Sequence, residues 1–113
     1  MEHRMNLCKE PFDMIASGEK TIELRLYDEK RKRVKVGDTI NFTCLEDSNK
    51  TLKTEVININ IFKNFADLYE SLPILKCGYK SGEIANPDDM LQYYSREQEE
   101  KYGVVGIEIK VIE

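Results

Sequence analysis

The chain is poor in the residues from which most catalytic relays and metal centres are built. It has a single histidine, His3, which stands ahead of the first strand-like segment. One imidazole in a terminal segment is badly placed for a nucleophile relay and too little for a multi-histidine metal site. Cysteine is nearly as scarce. Cys8, Cys44 and Cys77 are odd in number, far apart and in no zinc-binding spacing. In a reducing compartment they read as small core residues, not disulfide partners. No metal and no cofactor are expected. Proline occurs only at Pro11, Pro73 and Pro87, so each one is informative as a boundary. No apolar run approaches the roughly 20 residues that span a bilayer. Residues 1–8 lack the apolar stretch of a secretion signal. The expectation is a cytoplasmic protein with no membrane partner. Repeats, low-complexity tracts and flexible linkers are also missing, so one domain over residues 1–113 is expected.

What is present is charge, unevenly spread. The net charge of −4 argues against a broad footprint on duplex nucleic acid. Lys30, Arg31, Lys32, Arg33 and Lys35 nevertheless form a basic cluster, while Asp88, Asp89, Glu97, Glu99 and Glu100 make the C-terminal region acidic. A basic loop on an acidic protein can hold a few phosphates. Most runs of this kind are solvated loops.

The hydrophobic pattern alternates between strand and short helix. Residues 5–8 fit a first strand. Pro11 at a first helical position, with Phe12, Ile15 and Ala16 at helical spacing and Gly18 beyond, predicts a short helix with a glycine stop. A strand over residues 21–26 comes next, then a polar excursion. Val36-Gly37-Asp38 turns into a strand with Ile40, Phe42 and Cys44 on one face. Its partner spans about residues 52–62, with Ile57, Ile59 and Ile61 inward and Asn58 and Asn60 outward. Asn64 caps a short helix that Pro73 ends. Asn86-Pro87-Asp88-Asp89 and Ser95-Arg96-Glu97-Gln98 are two further helix starts. Val105, Ile107, Ile109 and Val111 mark a closing strand. Alternation of this kind favours a mostly antiparallel curved sheet or small barrel with a filled interior and a wet exterior, and the chain reads as α+β with a β-barrel core and short peripheral helices.

The most informative stretch is Ser17-Gly18-Glu19-Lys20-Thr21-Ile22-Glu23-Leu24-Arg25-Leu26. Thr21, Glu23 and Arg25 alternate with Ile22, Leu24 and Leu26, so one face is apolar and the other carries polar groups about 7 Å apart. Lys20 adds a second cation. Such a cluster is either a small ligand site at the mouth of a sheet or a solvated Glu–Arg pair on an outer face.

This stretch, with Pro11-Phe12, Ile15, Val36-Gly37-Asp38-Thr39-Ile40-Asn41-Phe42 and Tyr102-Gly103-Val104-Val105-Gly106-Ile107, resembles the ASCH domain, the activating signal cointegrator homology branch of the PUA-like barrels. The resemblance implies a cleft beside the first helix that receives RNA, a nucleoside or a nucleotide, with Lys20, Glu23 and Arg25 at the matching positions; Thr21, on the same polar face, is a further ligand-binding candidate. Arg25 offers a planar fork and Lys20 a point charge. Tyr79, Tyr93, Tyr94 and Tyr102 are candidates for base stacking, although tyrosines at helical spacing are more often core.

Some small bacterial relatives resemble amidohydrolases that remove the acetyl group of N(4)-acetylcytidine with a lysine base, a threonine nucleophile and a downstream glutamate. Lys20 matches the lysine, and Glu83 is the candidate downstream carboxylate. The threonine position is Glu23 here, and Thr21 is about 7 Å too early to replace it. A carboxylate beside Lys20 favours its charged form, which suits binding an oxyanion more than abstracting a proton. Glu23 or Glu83 activating water is another hydrolytic route. A protein-interaction module, through the acidic capped helices, is the third reading.

Overall fold

A computed structural model describes residues 1–112. The elements run β1 (Glu2–Leu7), α1 (Lys9–Ser17), β2 (Ile22–Leu26), β3 (Thr39–Cys44), β4 (Asp47–Phe62), α2 (Phe65–Ser71), α3 (Arg96–Tyr102) and β5 (Val104–Val111), with 3-10 turns at Arg31–Arg33, Ile74–Cys77 and Pro87–Gln92. One five-stranded sheet has the order β1-β3-β4-β5-β2. Only β1 and β3 are parallel; the other pairs are antiparallel.

The architecture is mixed α+β, and of the two expected forms the sheet is the curved one: a curled half-barrel, not a closed β-barrel core. β1 and β2 are its two free edges, and among the described residues no ladder joins them. Instead, Arg25 Nη2 donates to the Asn6 carbonyl at 2.9 Å, one side-chain bond across the open seam.

Local chemistry accounts for most boundaries. Gly18 ends α1 at φ +87°, a conformation that side chains with a Cβ resist, and donates to the Ile15 carbonyl. Pro11 is the third helical residue, not the first. It does no harm there, because the first bonded N–H of the helix is that of Phe12, to Cys8. Asn64 caps α2 by accepting from the Asp67 amide at 2.8 Å, and Ser95 and Gln98 form the expected capping box. Asn86 also caps its segment, but Pro87–Gln92 forms a 3-10 turn there and not an α-helix. The first strand begins earlier than residue 5. His3 lies within it, its Nε2 2.8 Å from Asp38, which also accepts from the Lys35 amide.

Two apolar layers flank the sheet. Met5, Phe12, Ile15, Ile40, Phe42, Val56, Val105 and Ile107 fill its concave side. Ile22, Leu24, Leu26 and Val104 pack on the other side against Phe65 and Leu68 of α2. Gly106 lets α2 approach: a Cβ there would lie 2.6 Å from Leu72 Cδ1.

β4 departs from the expected pattern. It outruns β3, whose Thr39 pairs with Glu55, so its second half has a neighbour on one side only. A register shift between Val56 and Asn58 makes Ile57 the extra residue. Ile59 packs on the core, but Ile57 and Ile61 are 49% and 54% exposed instead of inward. Cys44 and Cys77 are buried free thiols as expected, whereas Cys8 is exposed.

Candidate functional site

The polar face of β2 points into the half-barrel. Glu23 pairs with Ile107 and Arg25 with Val105, and directly opposed residues share a face, so both charges stand on the side of the main core. The apolar face, Ile22, Leu24 and Leu26, is turned outward and covered by α2. The alternation is therefore as expected, but neither face is a wet exterior. Glu23 is 3% exposed and the Arg25 side chain 14%, which overturns the solvated-pair alternative.

These residues form a compact ionic cluster. Lys20 Nζ is 2.9 Å from Glu23 Oε1, and Arg25 Nε is 2.7 Å from Glu23 Oε2. Burial opposes the charge on Glu23, but Lys20 and Arg25 outweigh it and hold the carboxyl below its ordinary range. Burial likewise opposes the charge on Arg25, and Glu23 more than compensates, keeping the guanidinium above its usual value. Both Glu23 oxygens are engaged. Lys20 and Arg25 each keep N–H groups that Glu23 and Asn6 do not take, with Tyr94 beside the guanidinium.

The cluster lies at the wall of a cleft of about 400 Å³. One side is Asn6, Leu7 and Cys8 at the end of β1 with the start of α1; the other is built from residues 77–79, 89–90 and 92–94. Of the sequence-derived candidates, Lys20, Glu23, Arg25, Tyr79, Glu83, Tyr93 and Tyr94 all line it. Thr21 and Tyr102 do not. Thr21 spends its backbone on the Lys76 carbonyl and the Ile109 amide, and Tyr102 packs into the outer core with Lys101 above its ring.

A match to the ASCH domain family model covers residues 5–113. The chain belongs to the ASCH domain family. The crystal structure of hypothetical protein PH0355 is 36% identical, with a TM-score of 0.84 over 99% of this chain and 100% of that one. The solution structure of protein PF0455 from Pyrococcus furiosus is 35% identical, with a TM-score of 0.75 over 100% of this chain and 99% of that one. The ASCH protein of Zymomonas mobilis shares the fold at 14% identity and a TM-score of 0.64, over 96% of this chain and 66% of that one. No curated protein matches the sequence significantly.

In this ASCH domain the far wall of the cleft is aromatic and hydrogen-bonded. Tyr79 donates to Asp89 at 2.7 Å, and its hydroxyl is 3.1 Å from that of Tyr69. Burial, then the Tyr69 and Asp89 contacts, raises the Tyr79 phenol well above its usual value. Tyr94 is raised by burial against the pull of Arg25. Tyr93 stands 59% exposed at the rim. Glu83 is exposed and accepts from the Lys80 amide, so it sits at the mouth and not beside the buried cluster. Four lining carboxylates, Glu10, Glu23, Glu83 and Asp89, face two lining cations, Lys20 and Arg25.

Sequence reasoning missed Asn6, Tyr69 and Asp89. The Asn6 contribution is a backbone carbonyl and leaves no trace in residue type. Asp89 was legible as a helix-start carboxylate and as part of the acidic C-terminal region, not as a cleft residue. Glu99, counted with the acidic surface, is 7% exposed and accepts from the Phe65 amide at 2.8 Å. Among the described residues no group of His, Cys, Asp and Glu is arranged to hold a metal, and no helix is long and apolar enough to cross a membrane.

Proposed function

We propose that the cleft binds one nucleobase, as a nucleoside or as an exposed base of RNA. The observation that carries this is the buried cluster itself. Glu23 satisfies part of Lys20 and Arg25, and the remaining donors suit the acceptor edge of a base. Tyrosines on the opposite wall supply surfaces against which a ring can lie. The excess of carboxylates around the cleft favours an uncharged ring over a free phosphate, which Glu83 and Asp89 would repel; Glu10 is paired with Lys80 at 3.5 Å. Calorimetry against a panel of nucleosides and short RNAs tests the reading, with Arg25→Ala and Arg25→Lys as controls and circular dichroism as the folding check. Binding that both variants weaken supports it. No binding, or binding indifferent to Arg25, overturns it.

A second reading is an amidohydrolase on an acylated nucleoside such as N(4)-acetylcytidine. It is favoured by the presence of Lys20 and Glu83 on one cleft. Two features count against it. Glu23 occupies the nucleophile position, and a carboxylate held low by two cations is a weak base. Incubation with N(4)-acetylcytidine, monitored by absorbance, decides it: turnover no faster than that of Lys20→Ala removes this substrate. The protein-interaction reading has less support, since Glu99 is spent on a buried backbone amide.

A further inference from the structure

The base-binding reading leaves a chemical problem. A cleft with more carboxylates than cations has no place for the phosphates of a nucleic-acid strand. The strongest concentration of positive residues lies elsewhere, in the loop between β2 and β3. Lys30, Lys32, Arg33 and Lys35 are exposed there, and Lys30, Arg33 and Lys35 make no ion pair among the described residues.

This loop is a fixed platform. Val34, 5% exposed, anchors it in the main core. Tyr27 at its start donates its amide to the Gly103 carbonyl, and Gly37 at its end donates to Val56. Arg31 is held by the Asp28 carboxylate at 3.3 Å, with its Nε buried and unpartnered. Lys32 lies over the Tyr27 ring at 5.7 Å. The cations are thus presented outward on ordered backbone, so little ordering entropy opposes their use.

The loop starts beside the cleft. Arg25 lines the cleft, and Tyr27, two residues further along the chain and about 7 Å away, opens the loop. Aromatic faces beside a cationic track are the pattern by which proteins hold single strands.

We propose that residues 28–35 bind the sugar–phosphate backbone of a single-stranded nucleic acid whose base occupies the cleft. The inference rests on the base-binding reading and extends it from a free nucleoside to a strand. Lys30, Arg33 and Lys35 contact phosphates, Arg31 positions the turn, and Tyr93 at the rim stacks a neighbouring base. Each phosphate contact releases counterions, so binding is salt-dependent.

The test is anisotropy of a fluorescein-labelled, randomised 12-nucleotide RNA across a salt series, for the wild type and a K30A/R33A/K35A variant. Nucleoside calorimetry on the same proteins runs alongside. The three residues are exposed, and an unchanged melting temperature checks the fold. The variant is expected to lose about 2 from the log–log salt slope, at roughly 0.7 per contact for three contacts. Its nucleoside affinity stays unchanged, and the strand binds the wild type more tightly than any nucleoside. An unchanged slope, or a strand no tighter than a nucleoside, overturns the proposal and leaves the cleft reading standing. Loop-dependent strand binding that survives Arg25→Ala overturns the cleft reading, and with it the two-part site. Equal, loop-dependent binding of polyglutamate assigns the loop to acidic protein and overturns the nucleic-acid proposal.

Discussion

Replacing Glu23 by alanine is the sharpest perturbation of the buried cluster. The carboxylate is 3% exposed and is the counter-ion for both Lys20 and Arg25, at 2.9 and 2.7 Å. Its removal leaves two like charges close together in a site that excludes most water. Breaking a buried pair in this way costs about 3–5 kcal/mol, well above the ~0–1 kcal/mol of an exposed pair. Because Asn6 still accepts from Arg25, the expected loss is near the low end, about 3 kcal/mol. Glu23→Gln, which keeps the shape and one acceptor, loses less. Lys20→Met loses less again, since Glu23 then keeps Arg25 as its partner. Urea unfolding monitored by circular dichroism reads these differences as shifts in midpoint at constant slope. The pH profile gives an independent check. The Glu23 pKa is depressed on folding, so its contribution is present above the unfolded value and is lost as pH falls through the folded one. Glu23→Gln removes that part of the acid limb. A loss under about 1 kcal/mol for Glu23→Ala would refute the reasoning, because that is what a solvated pair gives.

Three further outcomes rest on particular contacts. Gly106→Ala drives a methyl to 2.6 Å from Leu72 and 3.2 Å from Ile22, and overpacking of this kind costs about 1–3 kcal/mol by urea unfolding; no change would mean that α2 is loosely seated. Asp38, held at about 2 by the His3 contact and the Lys35 amide, contributes stability that is present above the ordinary aspartate range and lost as pH falls toward 2. In Asp38→Asn that acid dependence disappears from a pH series of melting temperatures. Glu99→Ala strips the buried Phe65 amide of its acceptor, for an expected loss of about 1–3 kcal/mol in the same unfolding assay, whereas Glu97→Ala on the exposed face is neutral.

How much of this was legible in the sequence depends on the range of the interaction involved. The caps at Asn64 and Ser95, the Gly18 stop and the alternation of β2 are local, and the chain folds there as its residues dictate. The direction of β2 is not local. Period-2 alternation separates two faces but does not say which one turns inward, and here α2 covers the apolar face while the half-barrel encloses the polar one. The same limit explains β4. Ile57, Ile59 and Ile61 alternate as an inward face should, yet a register shift and the early end of β3 leave two of them exposed. Among the tyrosines, Tyr69 and Tyr102 both sit on short helices. Only the packing of α2 against the Pro87–Gln92 turn brings the first to the cleft while the second joins the outer core. Lys20, Glu23 and Arg25 were legible in the polar alternation of β2 and marked again by the family pattern, while the seam bond to Asn6 was invisible because a carbonyl belongs to every residue.

Whether a base enters the cleft beside Lys20 and Arg25 decides the functional reading. Nitrogen-15-labelled protein titrated with a nucleoside panel, read by amide and arginine Nε chemical shifts, answers that. The expected result is saturable shifts concentrated at Lys20, Glu23, Arg25, Tyr79 and residues 90–94 for at least one nucleoside, with the Arg25 Nε signal among the largest. Shifts confined to other faces, or none at saturating nucleoside, would contradict it.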